Sequence, residues 1–141
     1  MTTVNIYLNF SGNCEEAFLF YKSVFGGEFS YLGRFKDIPK QEDLPEISSE
    51  DGEKILHVTL PISKETSLMG CDNIGEWNEA YQQGNNFSVS VTTDSREEAD
   101  RLFQELSREG QVQVPLALAF WGDYYGQFTD KFGINWMIIS D

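Results

Sequence analysis

His57 is the chain's one histidine, and it lies within the strand-like stretch KILHVTL at 54–60. An imidazole there could serve as a base or hydrogen-bond donor in a pocket, because its charge changes near neutral pH. It could equally be a hydrogen-bonded core residue. Tyr125 offers a phenol that could act with His57 as an acid–base pair. A metal ion would need several further ligands, and the sequence does not show them.

The two cysteines, Cys14 and Cys71, fit no zinc-binding spacing, and no secretory signal precedes them. We therefore predict reduced thiols and a cytoplasmic location. Cys14 lies in the first turn of a predicted helix, a position that can lower the pKa of a thiol. Glu15 and Glu16 oppose that effect and argue against a reactive thiol.

Residues 124–138, YYGQFTDKFGINWMI, concentrate five aromatic side chains and two glycines. Asp130 is predicted to open the TDKFGI turn by accepting hydrogen bonds from backbone N–H groups. Trp121, Tyr125 and Trp136 have two possible roles. They could fill the core, or they could line a site where a phenol or an indole suits a small organic ligand.

The net charge is −13, from 10 Lys+Arg against 23 Asp+Glu. This balance argues against binding to nucleic acid, which requires a basic surface, and against an anionic membrane. No apolar run approaches the roughly 20 residues of a membrane span. The acidity favours solubility, and it would also attract a cationic ligand.

Two helices share one pattern, and this repeat predicts the domain organisation. Asn13 and Glu16 form a capping-box pattern, and Ser95 and Glu98 repeat it in the second half. Apolar residues follow at helical spacing in both halves. In each half a strand precedes the helix and strands follow it.

The 141 residues are therefore predicted to form one domain of two βαβββ modules. Module one covers 1–72, a linker covers 73–86, and module two covers 87–141. The stretch 36–54 carries two prolines and many charges without a periodic pattern, and we predict a long loop that is a lid or disordered.

The order of five segments resembles the PhnB-like branch of the vicinal oxygen chelate superfamily, which includes glyoxalase I, extradiol dioxygenases and bleomycin-resistance proteins. The segments are YLNFSGNCEEAFLFYKSVFGGE (7–28), KILHVTL (54–60), LMGCD (68–72), FSVSV (87–91) and FWGDYYGQFTDKFGINWMI (120–138). The resemblance implies an α+β fold in which curled mixed sheets enclose a central cavity and the helices lie outside. It also implies a homodimer.

Metal-dependent members of the superfamily take His, Gln or Glu ligands from the first and last strand of each module. The corresponding positions here fall near Ile6, Met69, Ser88 and Met137. A shift of one residue offers Tyr7, Gly70, Val89 and Trp136 or Ile138 instead. None of these is a usual ligand for a divalent ion. The resemblance thus predicts a site without metal or cofactor.

We accordingly predict an aromatic cavity that binds a small organic molecule, with a cation favoured. Its predicted lining is His57, Met69, Ser88, Ser90, Trp121, Tyr125, Trp136 and Met137. Ser88 and Ser90 alternate with Val89 and Val91, and could instead form a solvent-facing row.

Three alternatives to a binding protein stay open. One is a metal-free enzyme that uses His57 with Tyr125. Another is a metal-dependent lyase or dioxygenase with unusual ligands, and the third is an interaction protein whose dimer surface is the functional part. A methyltransferase, a label that relatives in this branch carry, is disfavoured. The sequence shows no glycine-rich strand-to-helix loop with a downstream acidic residue, as a cradle for S-adenosylmethionine would need.

Overall fold

The computed structural model describes residues 1–39 and 46–141. The described chain divides into two compact units, Met1–Gln82 and Gln83–Asp141. No helix within the described ranges combines the length and the apolar character that crossing a bilayer requires.

The first unit builds one sheet and one long helix. Its elements are β1 (Ile6–Phe10), α1 (Cys14–Phe25), β2 (Tyr31–Arg34), a 3-10 helix (Phe35–Asp37), α2 (Ser49–Gly52), β3 (Ile55–Pro61), β4 (Ser67–Asp72) and α3 (Glu76–Glu79). The strand order is β1-β4-β3-β2. β1 and β4 run parallel, and the other neighbours are antiparallel.

The second unit repeats this plan. Its elements are β5 (Val89–Thr93), α4 (Arg96–Leu106), β6 (Gln111–Leu118), β7 (Tyr124–Thr129) and β8 (Asn135–Ser140). The strand order β5-β8-β7-β6 again pairs the first and last strands in parallel. The α+β class and the two βαβββ modules are therefore confirmed.

Alternation along the strands decides which side chains face the helix. In β1, Leu8 and Phe10 are buried while Tyr7 and Asn9 are exposed, and in β3 Val58 and Leu60 are fully buried. A glycine at the centre of each sheet lets the helix approach closely. A Cβ atom on Gly70 would lie 2.7 Å from the Phe18 ring of α1. One on Gly126 would lie 2.6 Å from the Phe103 ring of α4.

The prediction that the Asn13 side chain caps α1 was wrong. Asn13 occupies the N-cap position but makes no capping hydrogen bond. Asp72, at the end of β4, takes that role instead. Its Oδ1 accepts from the backbone N–H groups of Gly12 (3.0 Å) and Cys14 (2.9 Å), and its Oδ2 accepts from Ile55 N–H (2.9 Å). The helix end is thus fixed by a residue that is distant in sequence.

Two local predictions in the second unit are confirmed. The Ser95 side chain caps α4 by accepting from Glu98 N–H. Asp130 orders the β7–β8 turn, because its Oδ1 accepts from the N–H groups of Phe132 (2.8 Å) and Ile134 (3.0 Å).

The predictions for the two connecting stretches were incomplete. Within 36–54 the structure contains part of the 3-10 helix and α2, while residues 40–45 of the predicted lid lie outside the described residues. The predicted linker 73–86 contains α3. α2 and α3 are each only about one turn long, which explains why no helical period was visible in the sequence.

Candidate functional site

The face of the first sheet that points away from α1 carries a polar and aromatic group around His57. Strand pairing brings its members together, because residues opposite one another point to the same face. Thr59 pairs with Met69 on β4 and with Tyr31 on β2, while Tyr7 on β1 also pairs with Met69. We call Tyr7, Tyr31, His57, Thr59 and Cys71 the His57 cluster.

Both ring nitrogens of His57 have hydroxyl partners. Nδ1 lies 3.0 Å from the Tyr7 hydroxyl, and Nε2 lies 2.8 Å from Thr59 Oγ1. A neutral imidazole has one N–H donor and one acceptor nitrogen, so one hydroxyl donates to the ring and the other accepts from it. The ring is thereby held in a fixed orientation, half-buried in the face of the sheet.

Two tyrosine rings flank the imidazole. The ring centroid of Tyr7 lies 5.5 Å from that of His57, and the ring centroid of Tyr31 lies 5.7 Å away. Gly33 makes room for Tyr31: a Cβ atom at Gly33 would lie 2.7 Å from the Tyr31 hydroxyl oxygen. Both tyrosines remain accessible, at 43% and 54% of their full exposure. The cluster therefore presents aromatic surface and hydroxyl groups to a partner from outside.

Cys71 extends the cluster along β4. Its thiol donates to Asn9 Oδ1 at 3.3 Å. Burial raises the pKa of this thiol, and a hydrogen bond with Tyr7 only partly offsets that effect. Burial also raises the pKa of the Tyr7 hydroxyl, with Cys71 adding to the shift. Both groups are therefore protonated and neutral at physiological pH.

The second sheet places several other predicted residues on the face away from α4. Ser90 pairs with Met137, and Met137 pairs with Gln127 on β7. Tyr125 lies two residues before Gln127 and so shares that face. The Trp121 ring contacts the Tyr125 ring at 5.6 Å, and its indole N–H donates to Asp123 at 3.1 Å. Ser88 precedes β5 and is half-buried.

Trp136 requires a correction. Its side chain lies on the α4 side of the sheet, next in sequence to Met137 but on the opposite face, and is 1% exposed. Its indole N–H donates to Asp130 Oδ2 at 2.9 Å. Trp136 is therefore a core residue with a satisfied polar group, and we leave it out of the candidate site.

The strand register also refines the four positions that the resemblance assigns to metal ligands. Ile6 pairs with Leu68 and faces the α1 side, so Tyr7 and not Ile6 shares a face with Met69. The donors on the two faces are then phenol, thioether and hydroxyl groups. Among the residues that the structure describes, no group of three His, Cys, Asp or Glu side chains could hold a metal ion. These residues do not fit a hard divalent cation.

Most of the partners of His57 were not predicted from the sequence. Tyr7 was considered only as a metal-ligand position displaced by one residue from Ile6. Thr59, Tyr31 and Cys71 were not predicted to be site residues. The alternation of β1 and β3 could have indicated Tyr7 and Thr59, since Tyr7 precedes the buried Leu8 and Thr59 lies between the buried Val58 and Leu60. Tyr125, the predicted acid–base partner of His57, belongs to the other unit.

Comparisons with known proteins agree with this architecture. The family model described as 3-demethylubiquinone-9 3-methyltransferase matches residues 2–139. Protein PA1353 from Pseudomonas aeruginosa is 36% identical, with a TM-score of 0.83 over 100% of this chain and 98% of that one. Protein YjdN of Escherichia coli K12 is 29% identical over 137 residues, which are 94% of this chain and 90% of YjdN.

A third comparison concerns the fold alone. A Bacillus cereus structure described as a putative 3-demethylubiquinone-9 3-methyltransferase, PhnB protein, is 24% identical. It matches with a TM-score of 0.76 over 99% of this chain and 100% of that one.

Proposed function

The chain belongs to the family described as 3-demethylubiquinone-9 3-methyltransferase, the PhnB-like branch of the glyoxalase and bleomycin-resistance superfamily, and we propose that it binds a small organic molecule through the His57 cluster. Binding uses no metal ion. A ligand with a planar or cationic portion and one hydrogen-bonding group fits the chemistry of the cluster best.

The observation that carries this proposal is the orientation of His57. Its ring is held between the hydroxyl groups of Tyr7 and Thr59 and flanked by two accessible tyrosine rings. A histidine that only filled the core would not need aromatic neighbours left this exposed. Tyrosine faces bind planar groups and cations, and the hydroxyl network supplies a donor or an acceptor as the ligand requires.

A cation is favoured by two independent features. The net charge of −13 raises the local concentration of cations around the protein. The cluster itself contains no lysine or arginine side chain that would repel one. The second face, with Ser90, Tyr125 and Met137, is chemically similar and offers hydroxyl, aromatic and thioether groups to the same class of ligand.

The methyltransferase description does not agree with the residues at the helix N-termini. The loop from β1 to α1 has one glycine, Gly12, and the loop from β5 to α4 has none. Asp72 already accepts from the Gly12 and Cys14 N–H groups, so those donors are not free for a cofactor. We propose that these residues do not form a cradle for S-adenosylmethionine.

A second candidate function is metal-free acid–base catalysis at the same cluster. The 3.0 Å contact favours Tyr7 over Tyr125 as the partner of His57. Its raised pKa keeps the Tyr7 hydroxyl protonated, so that it could donate to a developing oxyanion while His57 acts as the base. Turnover that depends on both residues would distinguish this enzyme from a binding protein.

Binding can be tested with three small probes of similar size: phenyltrimethylammonium, benzyl alcohol and benzoate. We expect the cation to shift backbone NMR resonances of β1 and β3, with a Kd of about 1 mM or tighter, and benzoate to bind least. His57→Gln and Tyr7→Phe should each weaken binding about fivefold or more, since each removes a hydrogen bond worth about 1 kcal/mol.

Ser23→Ala is the matched control, because Ser23 lies on α1, on the other side of the sheet, and its hydroxyl donates to the Phe20 carbonyl of the same helix. It should leave binding unchanged. The proposal fails if no probe shifts the resonances of the cluster in the wild-type protein. It also fails if His57→Gln folds normally and binds the cation as tightly as the control does.

A further inference from the structure

His57 is the one member of the His57 cluster whose side chain ordinarily changes charge between about pH 5 and 8. The other titratable members are two phenols and a thiol, groups that ordinarily ionise above about pH 8. Burial raises the pKa of Tyr7 and the pKa of Cys71 further, so both groups stay neutral over that range. The charge of the cluster is therefore the charge of its imidazole.

The fixed charges of the first sheet are held on its α1 side. Within the described strands β1 to β4, the side chains of Asp, Glu, Lys or Arg type are Arg34 and Asp72. The Arg34 guanidinium is bound to the Glu15 carboxylate of α1. Asp72 is buried and accepts from backbone N–H groups at the N-terminus of α1 and at Ile55. These strands therefore place no other charge beside His57 on the opposite face.

We propose that protonation of His57 gives the cluster a second ligand class, small organic anions such as carboxylates, in place of organic cations. This second class rests on the proposed binding function of the same cluster. A neutral imidazole leaves the two accessible tyrosine rings as the main electrostatic feature of the face, and aromatic faces attract a cation. An imidazolium places a full positive charge between those rings, which repels a cation and attracts an anion a few ångströms away.

The hydroxyl partners of the ring accommodate both charge states. With a neutral ring, one hydroxyl donates to the acceptor nitrogen, and only the other hydroxyl keeps its hydrogen for a ligand. An imidazolium donates from both nitrogens, to the Tyr7 oxygen at 3.0 Å and to the Thr59 oxygen at 2.8 Å. Both hydroxyl hydrogens can then point to a carboxylate, since the Cys71 sulfur beside Tyr7 is only a weak acceptor. Protonation thus adds a charge and a donor without turning the ring.

The test is a set of NMR titrations of the full chain with phenyltrimethylammonium, benzyl alcohol and benzoate between about pH 5.5 and 8.5, a range in which exposed carboxylates stay ionised. From the upper to the lower end we expect the Kd of the cation to rise about tenfold and the Kd of benzoate to fall about tenfold. The uncharged benzyl alcohol should change least. The net charge of −13 opposes an anion, so the direction of the change is what is tested.

The wild-type protein also provides a reciprocal measurement. Since the chain has a single histidine, its ring signal reports the protonation of His57 directly. Linkage requires that bound cation lowers the midpoint of this titration and that bound benzoate raises it. Equal midpoints in the free and the saturated protein overturn the second ligand class, as does a ring signal that does not titrate above about pH 5.5.

His57→Gln keeps a polar side chain without the change of charge, and it should remove the pH dependence of both ionic probes. Ser23→Ala should keep the wild-type pH dependence. Probes that bind with the same Kd at every pH overturn the second ligand class and leave the proposed binding function intact, as does a folded His57→Gln variant with the wild-type pH dependence. If no probe binds at any pH, the proposed function fails and the second ligand class fails with it. If His57→Gln does not fold, the midpoint shifts of the wild type decide.

Discussion

Asp72 allows a sharp test of how the first unit is held together. The carboxylate is 3% exposed and accepts hydrogen bonds from three backbone N–H groups, those of Gly12, Cys14 and Ile55. Asp72 is the last residue of β4, and these bonds connect the end of that strand to the N-terminus of α1 and to the first residue of β3. Replacing Asp72 with alanine leaves all three donors buried without an acceptor.

The expected loss can be built from these contacts. Hydrogen bonds to a charged acceptor contribute about 1.5–3 kcal/mol each, and a carboxylate at a helix N-terminus adds about 0.3–1 kcal/mol. Because the three bonds share one side chain, we expect them to sum to less than their separate values. Asp72→Ala should then lower the free energy of unfolding by about 4 kcal/mol, a large part of the 5–15 kcal/mol that is typical of a domain.

Asp72→Asn separates the contributions. The amide oxygen can still accept from Gly12 and Cys14, but the amide NH₂ would face the Ile55 N–H group, which loses its acceptor. We expect a loss of about 2 kcal/mol, intermediate between the wild type and Asp72→Ala.

Ser140 provides the matched control, because it ends β8 as Asp72 ends β4. Thr93 pairs with Ser140 in the second unit, as Phe10 pairs with Asp72 in the first. Ser140 is also buried, and its hydroxyl has no hydrogen-bond partner among the described residues. Ser140→Ala should therefore change stability by less than about 0.5 kcal/mol, or raise it. Urea unfolding measures all three variants, and losses that are equal at the two positions would refute this account of Asp72.

Three further predictions follow from other sites. Purified protein should contain far less than one equivalent of any metal, and no divalent ion should raise its melting temperature by several degrees. Elemental analysis and thermal-shift measurements check these two expectations. A stoichiometric metal content would refute the prediction. Burial, with the charge of Asp72 next, raises the pKa of the Cys14 thiol. Between about pH 8.5 and 10 the unfolded chain then releases a proton that the folded chain keeps, so the unfolding free energy should fall by up to about 1.4 kcal/mol per pH unit. Cys14→Ala should reduce that slope in urea titrations, and an unchanged slope would contradict it. Gly133→Ala should lower the free energy of unfolding in urea more than Gly122→Ala does. Both glycines have positive φ, but a Cβ atom at Gly133 would also lie 2.6 Å from the Gln83 amide, whereas one at Gly122 would have no atom within 4 Å. Gln83→Ala removes that amide, so in its background the losses of unfolding free energy caused by Gly133→Ala and by Gly122→Ala should be more nearly equal; an unchanged difference would contradict this explanation.

The sequence predicted those features that depend on neighbouring residues. The Ser95 cap and the Asp130 turn both arise within a few residues, and the structure contains each of them. The repeat of a strand, a helix and three strands also follows from local patterns that can be compared along the chain.

The features that the sequence could not predict depend on strand register. Asn13 matches a helix cap by its type, yet Asp72 displaces it because β4 lies parallel to β1 and ends beside the helix. In the same way Tyr7 and His57 come together only after three strands have paired. Trp136 and Met137 are adjacent in sequence, and only the register shows that one lies in the core and the other on the opposite face.

The strand order of the second unit bears on its formation during synthesis. β8 is the last strand of that unit in sequence, yet it lies between β5 and β7. On a ribosome, β5 has no partner within its sheet until residues 135–140 have left the exit tunnel. Until then the apolar surface that Val89 and Ile138 later bury stays open to water, to chaperones and to neighbouring nascent chains. The second unit is therefore expected to fold after translation of its final strand, and to lose its sheet if that strand is removed.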